Sequence, residues 1–294
     1  MGNKIVKKQT GILYVILSAI LFGMMPLLAK VAYAHGSNSY TVAFGRFFFG
    51  SIILGALIAV LPNCTAKLRK EQMIELLKLS VAYALMPILL YTSYNYVDGG
   101  MATALHFTYP IAVMLIMAIF CKVKPDARQL LCALLCLIGM ALLSSPSSQP
   151  SIPGIALAVG SGIVYAVYIV LLGRSSVKEL HPLVLAFWMA LFSAAEIGAI
   201  ALVSGKLVFH LDAMGWTAEI GMALFTTVFA LVLFQRGLFL CGEVKASLLS
   251  TFEPITGILI GIIVFKEMLS WGETLGIASI LAAVVLVVPL KSRE

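Results

Sequence analysis

The chain has 294 residues, of which 61% are hydrophobic and 11% charged, with a formal net charge of +7 and a mean hydropathy of +1.05. A soluble domain needs a polar outer shell that this composition does not supply, so a soluble fold is excluded. The basic excess does not mark a nucleic-acid partner either. The Lys and Arg residues sit in short connectors between apolar blocks, where they set membrane topology.

Ten apolar blocks follow one another: 11–32, 40–61, 74–96, 102–121, 127–145, 153–172, 182–203, 216–238, 246–265 and 272–290. Each is about 20 residues long, enough to cross the roughly 30 Å hydrocarbon layer as a helix. The first block follows Lys4, Lys7 and Lys8 and is interrupted by Pro26 and Lys30. It is too long for a cleaved signal core, and a matching segment recurs in mid-chain, so it reads as a span. Alternate connectors carry fifteen cations against three, which places both termini in the cytoplasm of a multi-pass plasma or inner-membrane protein. Between the fifth and sixth blocks, the uncharged, Pro-rich segment around Ser144–Pro153 reads as a linker.

The two sides of that linker align with each other. At an offset of 143, Gly11 meets Gly154, Ser18 meets Ser161, and Ala43-Phe44 meets Ala186-Phe187. At an offset of 144, Ala102 meets Ala246, Pro110 meets Pro254, and Lys122 meets Lys266. The expected division is a repeat over 10–145, a linker over 146–152 and a second repeat over 153–290. Five spans is an odd number, so the second copy starts on the opposite side and is inverted. Inverted repeats are a common plan for secondary carriers, in which two similar units give alternating access to a central site. The fold class expected is therefore an all-α integral membrane protein of ten helices in two inverted five-helix repeats.

Five segments carry a resemblance. They are Ser18-Ala19-Ile20-Leu21-Phe22-Gly23 in the first span, Arg46-Phe47 in the second, and Ala102-Thr103-Ala104-Leu105 leading to Pro110 in the fourth. Ala246-Ser247-Leu248-Leu249 with Glu253-Pro254, and then Lys266-Glu267, stand in the ninth. In this order, together with the duplication, the chain resembles the ten-helix carriers of the EamA family in the drug/metabolite transporter superfamily, from about Gly11 to Pro289. Lys122-Val123-Lys124 stands where many members carry a Glu at the end of the fourth helix. The resemblance implies export or exchange of amino acids, related metabolites or drugs.

Ionisable residues inside a bilayer are costly, so they should face a cavity or a partner. Arg46 offers a fork of donors for a carboxylate; a structural ion pair or snorkelling is the other reading. Glu196, Glu253 and His106 are proton-coupling candidates, and Glu253 and His106 are also candidates for cargo contact. Structural hydrogen bonding is the alternative for each. Tyr91, Tyr94, Phe107, Tyr109, Tyr165, Tyr168 and Trp188 are aromatic groups that could stack on cargo or cage a quaternary ammonium. Asn95 and Gln235 could add polar contacts. Pro26, Pro87, Pro110 and Pro254 mark bends within spans. Small residues at Gly154, Ala158, Gly162 and Ala166 form a helix-packing face.

The function expected is a secondary carrier of small organic solutes, an exporter of amino acids or related compounds. The alternative is uptake of a cationic nutrient such as a quaternary amine. A scaffold or a membrane-embedded enzyme is more distant, because no catalytic constellation is visible. No Walker-type motif, His/Asp cluster or metal-like cysteine spacing appears, so no cofactor or metal is expected. The expected partners are a small-molecule solute and membrane lipid, with a homodimer left open.

Overall fold

The structure is a computed structural model, which describes residues 2–62, 64–93, 95–97, 99–143, 151–265 and 270–288. Most of the expected 146–152 linker, Tyr94 and the Lys266-Glu267 pair lie outside the described residues. Helices make up the fold, with no strand among the described residues. Seven helices are long and apolar enough to cross a membrane, and two further apolar helices have 17 residues each. With the broken helix 243–265 they give ten spans.

Three spans are interrupted. The first runs Gly2–Phe22 and resumes at Met25–Ala34, with Pro26 in the first turn of the second piece. The fourth runs Gly99–His106 and Tyr109–Phe120, and the ninth Glu243–Ser250 and Glu253–Phe265. In each case a proline stands just after the break, where its missing N–H costs nothing and its fixed φ suits a helix start. The third span, Lys70–Ser93, absorbs Pro87 without interruption. The eighth, 213–241, contains a π-helical stretch at Ala223–Ala230. The remaining spans are continuous: Ser39–Val60, Ala127–Leu143, Ile152–Arg174, Pro182–Val203 and Trp271–Val287. Polar caps close several ends. Asn38 accepts from the Tyr40 and Thr41 amides, and Ser270 with Glu273 forms a reciprocal capping box.

The connectors gather on two faces. On one, the proximal face, Trp188 Nε1 donates to the Ala66 carbonyl at 2.9 Å, Arg69 pairs with Glu179, and Arg174 lies 3.6 Å from Glu243. Gly11 abuts Cys241 there, and Lys245 Nζ reaches the Val288 carbonyl at 3.5 Å, so the start of the first span and the end of the last described one lie on this face. On the distal face His35 Nδ1 lies 2.6 Å from Asp212, and Asn38 Nδ2 donates to the Lys206 carbonyl.

The packing obeys an approximate two-fold rule that exchanges the halves. The third span packs on the sixth as the eighth packs on the first, and the second pairs with the seventh and the fifth with the tenth. The correspondence reaches single side chains. The Phe44 ring lies against Gly198, and the ring of its repeat mate Phe187 lies against Gly55, the mate of Gly198. A Cβ at Gly11 would come 2.6 Å from Leu240 Cβ, and one at Gly154 would come 2.7 Å from Tyr96 Cβ, again equivalent positions. Such contacts let backbones approach where lipid gives no hydrophobic drive to associate. Because five spans separate the copies, the two-fold axis lies in the membrane plane and the halves run in opposite directions.

Candidate functional site

A cavity of roughly 340 Å³ lies between the halves, at the small end of small-molecule sites (roughly 300–1,000 Å³). Its walls come from the first, second, third, fourth, sixth and ninth spans. It reaches the distal face past Lys30 and Tyr33, both exposed. Its floor is aromatic: Tyr83, Tyr109 and Tyr165, with the Tyr109 and Tyr165 rings 4.9 Å apart. Below the floor Tyr168 is fully buried, 4.7 Å from the Tyr83 ring, and accepts from Gln235 Nε2 at 3.3 Å. That layer seals the cavity from the proximal face.

Of the residues singled out in the sequence, Arg46, Tyr91, Phe107, Tyr109, Tyr165, His106 and Glu253 line the cavity together. Arg46 is only 1% exposed, so it does not snorkel. Its guanidinium donates to Tyr83 Oη at 3.2 Å and to Met25 Sδ at 3.3 Å and lies over the Phe47 ring, while Nε has no partner. No carboxylate forms an ion pair with it among the described residues. A buried, fixed cation with spare donor capacity is suited to an anionic group arriving from the cavity.

His106 ends the first half-helix of the fourth span. The Ser161 hydroxyl donates to the Ala158 carbonyl, so at the 2.9 Å contact His106 Nδ1 is the donor to Ser161 Oγ. In the neutral ring this leaves Nε2 as the acceptor. Tyr109 and Glu253 each open the second piece of a broken helix, at equivalent places in the two halves. Both stand at helix N-termini whose dipoles carry partial positive charge into the cavity.

The other candidates stand elsewhere. Tyr168 and Gln235 lie beneath the floor, bonded to each other. Trp188 sits at the proximal face in contact with Phe187 and Phe192. Asn95 is exposed in the turn between the third and fourth spans. Glu196 accepts from Ser80 Oγ at 2.7 Å, bridging the third and seventh spans away from the cavity. The five cysteines are free thiols, with Cys132 and Cys136 buried in the helix packing.

Sequence reading passed over several cavity residues. Tyr83 shares a stripe with Pro87 and Tyr91 at four-residue spacing, a signal that one helix face looks inward. Lys30 counted only as a connector cation, yet it flanks the distal mouth. Outside the cavity lining, Glu219, one turn inside the predicted eighth span, is 1% exposed and accepts from Ser37 Oγ at 2.7 Å. It abuts Gly45, beside Arg46.

The model of the EamA-like transporter family matches the chain twice, over residues 9–145 and 152–288. An uncharacterised transporter of Archaeoglobus fulgidus is 28% identical over 92% of this chain and 94% of its own length. The threonine/homoserine exporter RhtA of Escherichia coli K12 is 28% identical over 81% of this chain and 78% of its own. A crystal structure shares the fold at a TM-score of 0.81 and 14% identity, covering 95% of this chain and 96% of that one.

Proposed function

Because the chain belongs to the EamA-like transporter family and is a small-molecule transporter rather than an enzyme, we propose that it exports amino acids or close relatives across the cell membrane by alternating access. The observation that carries this reading is the pairing of a buried cation, Arg46, with an acid, Glu253, in one cavity open to a single face. A zwitterion matches it, with its carboxylate on the guanidinium and its ammonium on Glu253 and the faces of Tyr109 and Tyr165. The exporter RhtA among the relatives supports the same cargo class.

The direction follows from charge. The proximal face carries most of the connector cations, so in this reading it is cytoplasmic and the cavity faces outward. The two repeats, 10–145 and 153–290, are the units that rock about the cavity. Glu253 and His106 are the coupling groups within reach of cargo, and each has an atom free to exchange a proton. Glu196 lies in a helix seam and serves packing in this reading. The aromatic floor with Glu253 also favours the second reading, uptake of a quaternary amine, but Arg46 and Lys30 repel a cation at the mouth.

Counterflow in proteoliposomes tests the proposal, with L-threonine, L-homoserine, L-phenylalanine and choline as cargo, with and without a pH gradient. The expected result is amino-acid flux that Arg46→Ala and Glu253→Gln both impair. Choline flux that Arg46→Ala leaves intact or raises establishes the second reading instead. Flux of an amino acid unchanged in both variants removes these residues from the site.

A further inference from the structure

The connector between the fourth and fifth spans carries Lys122-Val123-Lys124, and none of the three lines the central cavity. Its repeat counterpart is Lys266-Glu267-Met268, so the excess of cations belongs to one half. Lys122 has a left-handed φ of 57°, a place that glycine or asparagine usually fills. The Val123 amide folds back to the Met117 carbonyl at 3.0 Å, and Lys122 and Lys124 stand exposed beyond the helix end. Arg128, in the first turn of the fifth span, is exposed too.

Two recesses meet at this connector. One, of roughly 40 Å³, lies between the connector and the start of the ninth span, with Lys124, Gln129, Glu243 and Lys245 in its wall. The other, of roughly 200 Å³, is an apolar groove between the fourth and fifth spans. Met114 and Pro125 belong to both, so the groove continues from the basic recess. It exists because its two walls have different partners. The second piece of the fourth span packs on the sixth and ninth spans, whereas the fifth packs on the tenth. Small residues, Ala118 and Ala133, line it, and Leu115, Leu130 and Leu134 are each more than half exposed. Along the fourth span it covers residues 111–118. That is about 10 Å at 1.5 Å per residue, against roughly 15 Å for half the hydrocarbon layer.

The charge at the head of the groove is positive. Lys245 is only 3% exposed, and its Nζ reaches the Val288 carbonyl at a long 3.5 Å. No carboxylate pairs with Lys122, Lys124, Arg128 or Lys245 among the described residues. Glu243 lies beside Arg174, and Asp126 accepts from the Gln129 amide at 2.8 Å. Setting the topology needs cations in the connector. It needs neither a buried lysine nor an apolar groove running on from it.

We propose that an anionic phospholipid binds here, with its phosphate on Lys124 and Lys245 and one acyl chain in the groove. Lys122 and Arg128 add positive potential at the headgroup level. The occupant follows from two joined surfaces, cationic where headgroups lie and apolar where chains lie. A free anion has no use for the groove, and a zwitterionic lipid brings no net charge to the cations. The site is independent of the cargo and of the direction of transport.

Lipid titration of the full chain, delipidated in detergent, tests this. Native mass spectrometry counts bound palmitoyl-oleoyl phosphatidylglycerol or phosphatidylcholine, beside thermal scans with each lipid and with sodium phosphate. Lys124→Gln removes a cation from the site, and Lys67→Gln removes one from another exposed connector of the same face. Ala118→Leu fills the groove. Phosphatidylglycerol should bind about tenfold tighter than phosphatidylcholine, and Lys124→Gln should cut that preference about fivefold. Lys67→Gln should leave it unchanged, and Ala118→Leu should lower retention of both lipids. Equal affinity for the two lipids overturns the proposal, as does an equal loss in Lys67→Gln and Lys124→Gln. Sodium phosphate that stabilises as well as phosphatidylglycerol makes this an anion site without a lipid. Lipid-free dimers that Ala118→Leu dissociates make it an interface between copies. Should Ala118→Leu fail to fold, Leu134→Ser, at an exposed position, reads the same groove.

Discussion

The first and second halves share a backbone plan but not a chemistry. Both have a fourth-position helix broken before a proline, at 107–108 and at 251–252, and both seat a phenylalanine on a glycine of the partner half. They part company elsewhere. The first span is broken at 23–24, whereas the sixth is continuous from Ile152 to Arg174. Arg46 corresponds to Met189 in the repeat, His106 to Ser250, and Tyr109 to Glu253. The lesson is that exchange of conformations needs matched backbones, while recognition needs unmatched side chains. A site with equal halves would bind cargo in two equivalent poses; in the proposed site one arginine and one glutamate would fix a single pose.

Removing the unmatched charge tests this contrast most severely. Arg46→Ala should lower cargo affinity by about 2 kcal/mol, near thirtyfold, because a charge-assisted hydrogen bond disappears. Tracer-binding titration measures it, and loss under threefold would show that the asymmetry does not serve binding. Glu253→Gln keeps the shape and removes the charge, so its effect should be smaller for flux without a pH gradient and larger with one.

The matched contacts come next. A Cβ at Gly139 would lie 2.6 Å from Ile280 and 2.9 Å from the Gly276 carbonyl, where the fifth and tenth spans meet. Gly139→Val should destabilise the protein by about 1–3 kcal/mol through overpacking, read as an earlier thermal transition in detergent. Gly160 has open space around it, so Gly160→Ala should leave that transition within experimental scatter. Equal shifts for the two glycines would undo the claim that close approach is what the contacts require.

The distal latch should respond least. Asp212 accepts from the Gly215 amide at 2.8 Å and contacts His35, and these interactions hold its carboxyl below the ordinary Asp value of 3.8. A lowered pKa means the latch is complete above that value and loosens as pH falls through the lower folded one. Thermal scans should therefore show an acid-side loss that Asp212→Asn abolishes. Asp212 is solvated, so the change at neutral pH should be slight.

Much of the plan was legible in one dimension. Apart from the first helix, which begins at Gly2 rather than at 11, the ten apolar blocks match the ten spans to within about four residues, because a helix in lipid must satisfy its own backbone and needs about 20 apolar residues to cross. The prolines located the breaks in the fourth and ninth spans. Pro87 gave no break, since the helix continues around it, and the π stretch at 223–230 left no sequence mark that composition could reveal.

The site was legible only in part. Isolated charges in apolar blocks drew attention to Arg46, His106 and Glu253, and the fold brings all three to one cavity. Aromatic residues carried no such signal, because Tyr168, Trp188 and Tyr165 look alike in sequence. Only the rotation of each helix decides that Tyr165 faces the cavity, Tyr168 lies beneath it and Trp188 caps the proximal face.

The amino-acid order by itself determined how many times the chain crosses, where its cations gather and that its second half is a reversed copy of the first. These depend on local hydropathy, charge and repetition, which each segment carries within itself. Which face the cavity opens to, and which polar residues lie in it rather than in the buried layer beneath its floor, came only from the packed structure. Those outcomes depend on contacts between spans a hundred or more residues apart, which no single segment contains.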